Sequence, residues 1–130
     1  MKTVGIAALV AFLLTAGVYA FAFVTLREGE PREVVVIATA MTFVVDRPAA
    51  RETPNPPIVL HAGERVRLVL RNLDPGMRHD LIVEPLNVRT TALDYGESHG
   101  IVFKVPLEKG DGEYYCSFHS RLMRGRIEIR

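Results

Sequence analysis

The chain has 130 residues, 48% of them hydrophobic, with a formal net charge of +1. That length suits one domain with at most an appended segment, and the lack of a basic excess gives no support to nucleic-acid binding. A single cysteine excludes an internal disulfide, so the fold must rest on its apolar core or on a bound group.

The first element is apolar. From Val4 to Leu26 run 23 residues without a charge, enough to cross a hydrocarbon core as a helix. Lys2 precedes the run and Arg27 follows it, a weak positive-inside bias that permits a cytoplasmic N-terminus. The expectation is a single-pass transmembrane helix over residues 1–26, anchored in the cytoplasmic membrane, then a short linker over 27–32 and a folded domain over 33–130 on the periplasmic or extracellular side. The alternative is a secreted protein, cleaved near Ala20 or Ala22, where small residues stand as a signal peptidase requires. No cysteine adjoins the run, which excludes lipoprotein processing. All fifteen acidic residues and fifteen of the sixteen basic ones lie beyond Leu26, so the exported part is formally neutral.

Past residue 32 the hydrophobic pattern has period two. The runs EVVVIAT (33–39), MTFVVD (41–46), RVRLVLRN (65–72), HDLIVE (79–84), GIVFKVP (100–106), GEYYCS (112–117) and GRIEIR (125–130) read as strands. In the third run Val66, Leu68 and Leu70 share one face, and Arg65, Arg67 and Arg71 the other. Turn signals separate them at TPNPP (53–57), AGE (62–64), LDPGM (73–77), YGESHG (95–100) and EKGDG (108–112). RPAARETPNPP (47–57) reads as an irregular surface loop. No amphipathic helix is evident. Short strands at this spacing predict an all-β, antiparallel sandwich or barrel.

The chemistry concentrates in YYCSFHSRLM (114–123). Cys116 ends one strand, another strand begins just after Met123, and His119 lies between, so thiol, imidazole and thioether share one tight loop. These are soft or borderline donors. Two histidines and a cysteine in trigonal arrangement, with a weak axial methionine, make a blue-copper electron-transfer site. A second histidine is required, and His79, which follows the 73–77 turn and opens an apolar run, is the candidate. A lone thiol outside the cytoplasm is exposed to oxidation, and a metal would keep it occupied.

The segment CSFHSRLMRGRIEI resembles the copper-ligand loop of the cupredoxins, the small blue copper proteins. HSRLMRG is similar to the azurin form of that loop, whereas the Cys116–His119 spacing is similar to that of plastocyanins. His79-Asp80 stands where the family has His-Asn. The resemblance covers about residues 33–130. It implies an eight-strand Greek-key sandwich and one type 1 copper cycling between Cu(I) and Cu(II), held by His79, Cys116 and His119 with Met123 as the axial ligand. It further implies a non-enzymatic carrier that passes single electrons between a redox donor and acceptor, such as a cytochrome or an oxidase. The loop histidine would reach the surface through an apolar patch, for which Pro75, Met77, Phe118 and Leu122 are the candidates. Asp80 departs from the family's asparagine, a side chain that ties the two ligand segments together. It can still accept a hydrogen bond from Ser117, and its charge near copper would favour Cu(II).

Competing readings are weaker. Zinc prefers a second cysteine to a methionine. A cysteine nucleophile needs its histidine across a cleft, with a third residue to orient it. A thiolate-bridged binuclear copper centre needs two cysteines, and multicopper oxidases need paired histidines, whereas His61, His79, His99 and His119 stand apart. Tyr114 matches the tyrosine corner of immunoglobulin-like domains, but the partner cysteine and the tryptophan are absent. His61 and His99 read as solvated, Met41 as core and Met77 as packing near the site. Arg78 and Arg121 read first as solvated arginines, and second as a basic rim for an acidic partner. A copper carrier or delivery protein without electron shuttling is the alternative function.

Overall fold

A computed structural model describes residues 29–47 and 53–130. The expected transmembrane helix lies outside the described residues, among which no helix is long and apolar enough to cross a membrane. From Pro31 to Arg130 the chain packs as one unit.

Among the described residues nine strands follow in order: β1 (Arg32–Thr39), β2 (Thr42–Val45), β3 (Ile58–Leu60), β4 (Arg65–Asn72), β5 (Ile82–Val83), β6 (Val88–Arg89), β7 (Ser98–Lys104), β8 (Gly110–Tyr115) and β9 (Arg124–Ile129). They form a four-stranded sheet in the order β2-β1-β4-β7 and a five-stranded sheet in the order β3-β9-β8-β5-β6. The all-β expectation holds, but a purely antiparallel arrangement does not. β1 pairs with β4 in parallel and so does β3 with β9, while the other pairs are antiparallel. The physical reason is topological. Between β1 and β4 the chain leaves to place β3 in the other sheet, and a strand reached through such a crossover returns in the same direction. Alternation in sequence records which face is buried and carries no strand polarity.

That alternation builds the core. Val34, Val36 and Ala38 of β1 and Val66, Leu68 and Leu70 of β4 point inward, as do Tyr114 of β8 and Ile127 and Ile129 of β9, and all belong to one buried cluster. Burying each large aliphatic side chain contributes about 1.5–3 kcal/mol. Phe43 and Tyr114 meet between the sheets with ring centroids 5.7 Å apart.

Several expectations need correction, among them YGESHG, which is a turn only as far as Glu97, since β7 begins at Ser98. HDLIVE is a strand only at Ile82–Val83; His79 makes an isolated bridge with Leu93, and a 3₁₀ turn begins at Glu84. EKGDG is not a turn to its end, since Gly110 and Gly112 are already in β8, where a Cβ on Gly112 would collide with Pro85. Met41 is not in a strand. Ala40 and Met41 form the β1–β2 turn with φ of 48° and 60°, the left-handed pair that matches the twist of a two-residue hairpin.

Candidate metal centre

The β8–β9 connection is short and closed upon itself. The Cys116 amide donates to the Met123 carbonyl at 3.0 Å, and the Met123 amide donates to the His119 carbonyl at 2.9 Å. The His119 amide in turn donates to the Cys116 carbonyl at 3.3 Å. This winding leaves Cys116 and Met123 fully buried and His119 half-buried. A second loop braces it from outside: Asn55, itself left-handed at φ 49°, donates through Nδ2 to the Leu122 carbonyl at 2.8 Å and accepts the Phe43 amide at 3.0 Å. TPNPP is thus part of the scaffold of the site as well as a turn.

His79 comes from the β4–β5 connection. Its backbone pairs in both directions with Leu93, and its ring is fully buried. The Nδ1 atoms of His79 and His119 lie 3.7 and 3.8 Å from Cys116 Sγ, and the two rings are 4.9 Å apart between centroids. One donor atom from each of the three residues falls within 4.8 Å of the others. The separations are within reach of a hydrogen bond to sulfur and also suit atoms arranged about a shared ion. The three side chains are positioned to hold a metal ion. Met123 lies on the same loop, backbone-bonded to both Cys116 and His119.

The surroundings prepare these donors. Burial pushes the Cys116 thiol up, while the backbone amides of Asp80, Phe118 and His119 oppose the shift. Those amides would hold a thiolate once a cation displaces the proton. Asp80 accepts from the Ser117 amide and from the Ser117 hydroxyl, both at 2.7 Å. The aspartate therefore ties the His79 and Cys116 segments together despite the departure from asparagine. Asp74, in sequence a turn residue, accepts from His79 Nε2 at 3.0 Å and from the Met41 amide at 2.9 Å. Asn72 orders that turn, accepting from the Asp74 amide and donating to the Met77 and Leu93 carbonyls. An Asp before Pro-Gly signals a turn at sequence level; its reach to His79 depends on a fold-wide register.

The remaining candidates separate cleanly. Phe118 and Leu122 are 50% and 62% exposed and line an open depression of about 410 Å³ with His119, Ser120 and Arg121. Pro75 is exposed and Met77 half-buried on the 73–77 loop. Arg78 is no free rim cation: it forms two bonds, of 2.9 and 3.0 Å, with Asp94. His99 accepts the Thr91 amide through Nδ1, and neither His61 nor His99 joins the metal-ligating group found among the described residues.

No known family model matches the chain, and no curated protein matches it. Solved structures do. Auracyanin A, a "blue" copper protein from Chloroflexus aurantiacus, is 16% identical with a TM-score of 0.59, covering 78% of this chain and 100% of its own. Rusticyanin from Thiobacillus ferrooxidans is 18% identical with a TM-score of 0.59, covering 79% of each chain. A chain of a heme-copper terminal oxidase dimer is 13% identical with a TM-score of 0.60, covering 99% of this chain and 100% of that one. At such identities the likeness shows the fold, which is that of the cupredoxins.

Proposed function

We propose that this cupredoxin-fold chain is a type 1 copper protein that carries single electrons between redox partners outside the cytoplasm. The observation that carries the reading is the convergence of one buried thiol and two imidazole Nδ1 atoms within 4.8 Å, on a fold similar to that of auracyanin A and rusticyanin. His79, Cys116 and His119 would hold the copper, with Met123 as the fourth donor. The donor set fits copper: thiolate and thioether are soft, and methionine is a poor ligand for zinc. Copper, when bound, supplies the one-electron couple.

The protein's own contribution is positional. Backbone bonds within residues 116–123 and the Asp80–Ser117 tie hold the donors before any ion arrives. Little nuclear rearrangement then opposes a change of oxidation state. Cys116 and His79 are sealed from water, while His119 borders exposed Phe118 and Leu122. A partner docked on that depression would meet the His119 ring first. The likeness to a chain of a terminal oxidase dimer supports an oxidase as one such partner. A single cysteine argues against a thiolate-bridged binuclear centre and for a mononuclear one. In this reading residues 1–26 anchor the protein to the cytoplasmic membrane, 27–32 link, and 33–130 form the redox domain.

The test is the visible spectrum of the purified domain titrated with Cu(II). An intense thiolate-to-copper band at one equivalent, lost in Cys116→Ser, is expected. Folded, copper-loaded protein without that band would overturn the proposal. Stopped-flow mixing with a reduced cytochrome should then give partner-dependent electron exchange; transfer of the copper itself, without electron exchange, would favour the carrier alternative.

A further inference from the structure

Asp74 is nine-tenths buried, at 8% exposure, and within hydrogen-bond reach of a buried histidine ring. His79 Nδ1 faces Cys116 Sγ, and its Nε2 lies 3.0 Å from Asp74 Oδ2; an ionised carboxylate only accepts, so the hydrogen of that bond sits on Nε2. No buried side-chain nitrogen or oxygen among the described residues is left without a partner, and for His79 Nε2 the partner is Asp74 Oδ2. The carboxylate is not free to turn away. It also accepts the Met41 amide, and its own backbone amide donates to Asn72 Oδ1. Asn72 donates to the Leu93 carbonyl, and Leu93 is the residue bridged to His79. Ring and carboxylate are thus held by one bracket at both ends.

We infer that Asp74 is a positioning residue for the metal, which fixes His79 with Nδ1 bare and favours divalent over monovalent copper. The inference rests on the copper reading of the site. A hydrogen bond from a ligating imidazole to a carboxylate orients the ring and raises its basicity. Unlike a neutral carbonyl acceptor, it also places a negative charge behind the ligand, and that charge stabilises a 2+ ion more than a 1+ ion. The two effects act in one direction, towards a lower reduction potential.

The test compares Asp74→Asn with the unaltered protein. Asparagine keeps an acceptor for Met41 and removes the charge. Its Cu(II) affinity should fall by about 10–100-fold while its Cu(I) affinity stays nearly constant, and each tenfold change in the ratio raises the potential by about 59 mV. Val88→Ala, a comparable disturbance of the core, should leave the ratio unchanged. A ratio in Asp74→Asn equal to that of the unaltered protein overturns the inference. Nitrogen-15 spectra of the metal-free, unaltered protein give a second reading that needs neither variant nor copper. His79 should carry a proton on Nε2, and an Nε2 without one overturns the inference. A protein lacking the thiolate-to-copper band altogether would instead overturn the copper reading, an outcome distinct from an unchanged affinity ratio in a protein that has the band.

Discussion

Asp80 and Asp74 are neighbouring carboxylates with different tasks, and single substitutions separate them. Asp80 joins two ligand segments through Ser117. Asp80→Ala leaves the Ser117 amide without that partner and should cost about 1–3 kcal/mol in denaturant unfolding of the metal-free protein. Asp80→Asn can keep both bonds and should cost less than about 1 kcal/mol. Asp74 acts on pH dependence. Burial pushes its carboxyl up, but the Met41 and Ala40 amides and the His79 ring outweigh burial and hold it below the usual range. Near pH 4 the unfolded chain therefore binds more protons than the folded one at this position, so stability rises with pH there. The contribution is fully present above the unfolded value of about 3.9 and is lost as pH falls through the lower folded value. Thermal midpoints of the metal-free protein should drop on acidification below about pH 4, and Asp74→Asn should show a smaller drop. At this scale the candidate donors were legible, because thiol, imidazole and thioether in one short loop have few other uses. Asp74 was not, because nothing local in LDPGM points to a ring at His79.

Among the elements, β8 and β9 carry the site and tolerate the least change. The Tyr114 hydroxyl donates to the Pro56 carbonyl at 2.6 Å, and the ring lies so close over β9 that a Cβ on Gly125 would overlap it. Gly125→Ala should destabilise the domain by about 1–3 kcal/mol through overpacking, read as a lowered denaturation midpoint with unchanged slope. Because Gly125 is two residues past Met123, the same variant should broaden the copper spectrum. Most long strands were legible from period-two alternation; β4 spans Arg65–Asn72 as expected. β3 and β6, of three and two residues, are too short for alternation to register. Ile58-Val59-Leu60 follows two prolines and reads as the end of a loop until β9 pairs with it. Strand direction was not legible at all, since β1 alternates identically whether β4 runs with it or against it.

For the whole molecule, charge balance is as informative as shape. Residues 27–130 carry equal numbers of acidic and basic side chains, and Arg78 is already neutralised by Asp94. The domain therefore projects little long-range field, and the surface beside His119 is largely apolar. Electron exchange with a partner should then change by less than about threefold as ionic strength rises past the point where the Debye length falls below ~10 Å. Leu122→Asp should slow the exchange more than any salt does, and both are measured by stopped-flow kinetics. The origin of the donors bears on order of assembly as well. Cys116, His119 and Met123 share one short loop, whereas His79 lies 37 positions upstream of the cysteine. In the proposed copper reading, an unfolded chain already offers three donors to a soft ion, and the fourth comes into place only as the segment leading into β5, which pairs with β8, folds. Capture can precede folding, and closure of the second sheet becomes the step that commits the ion to its final geometry.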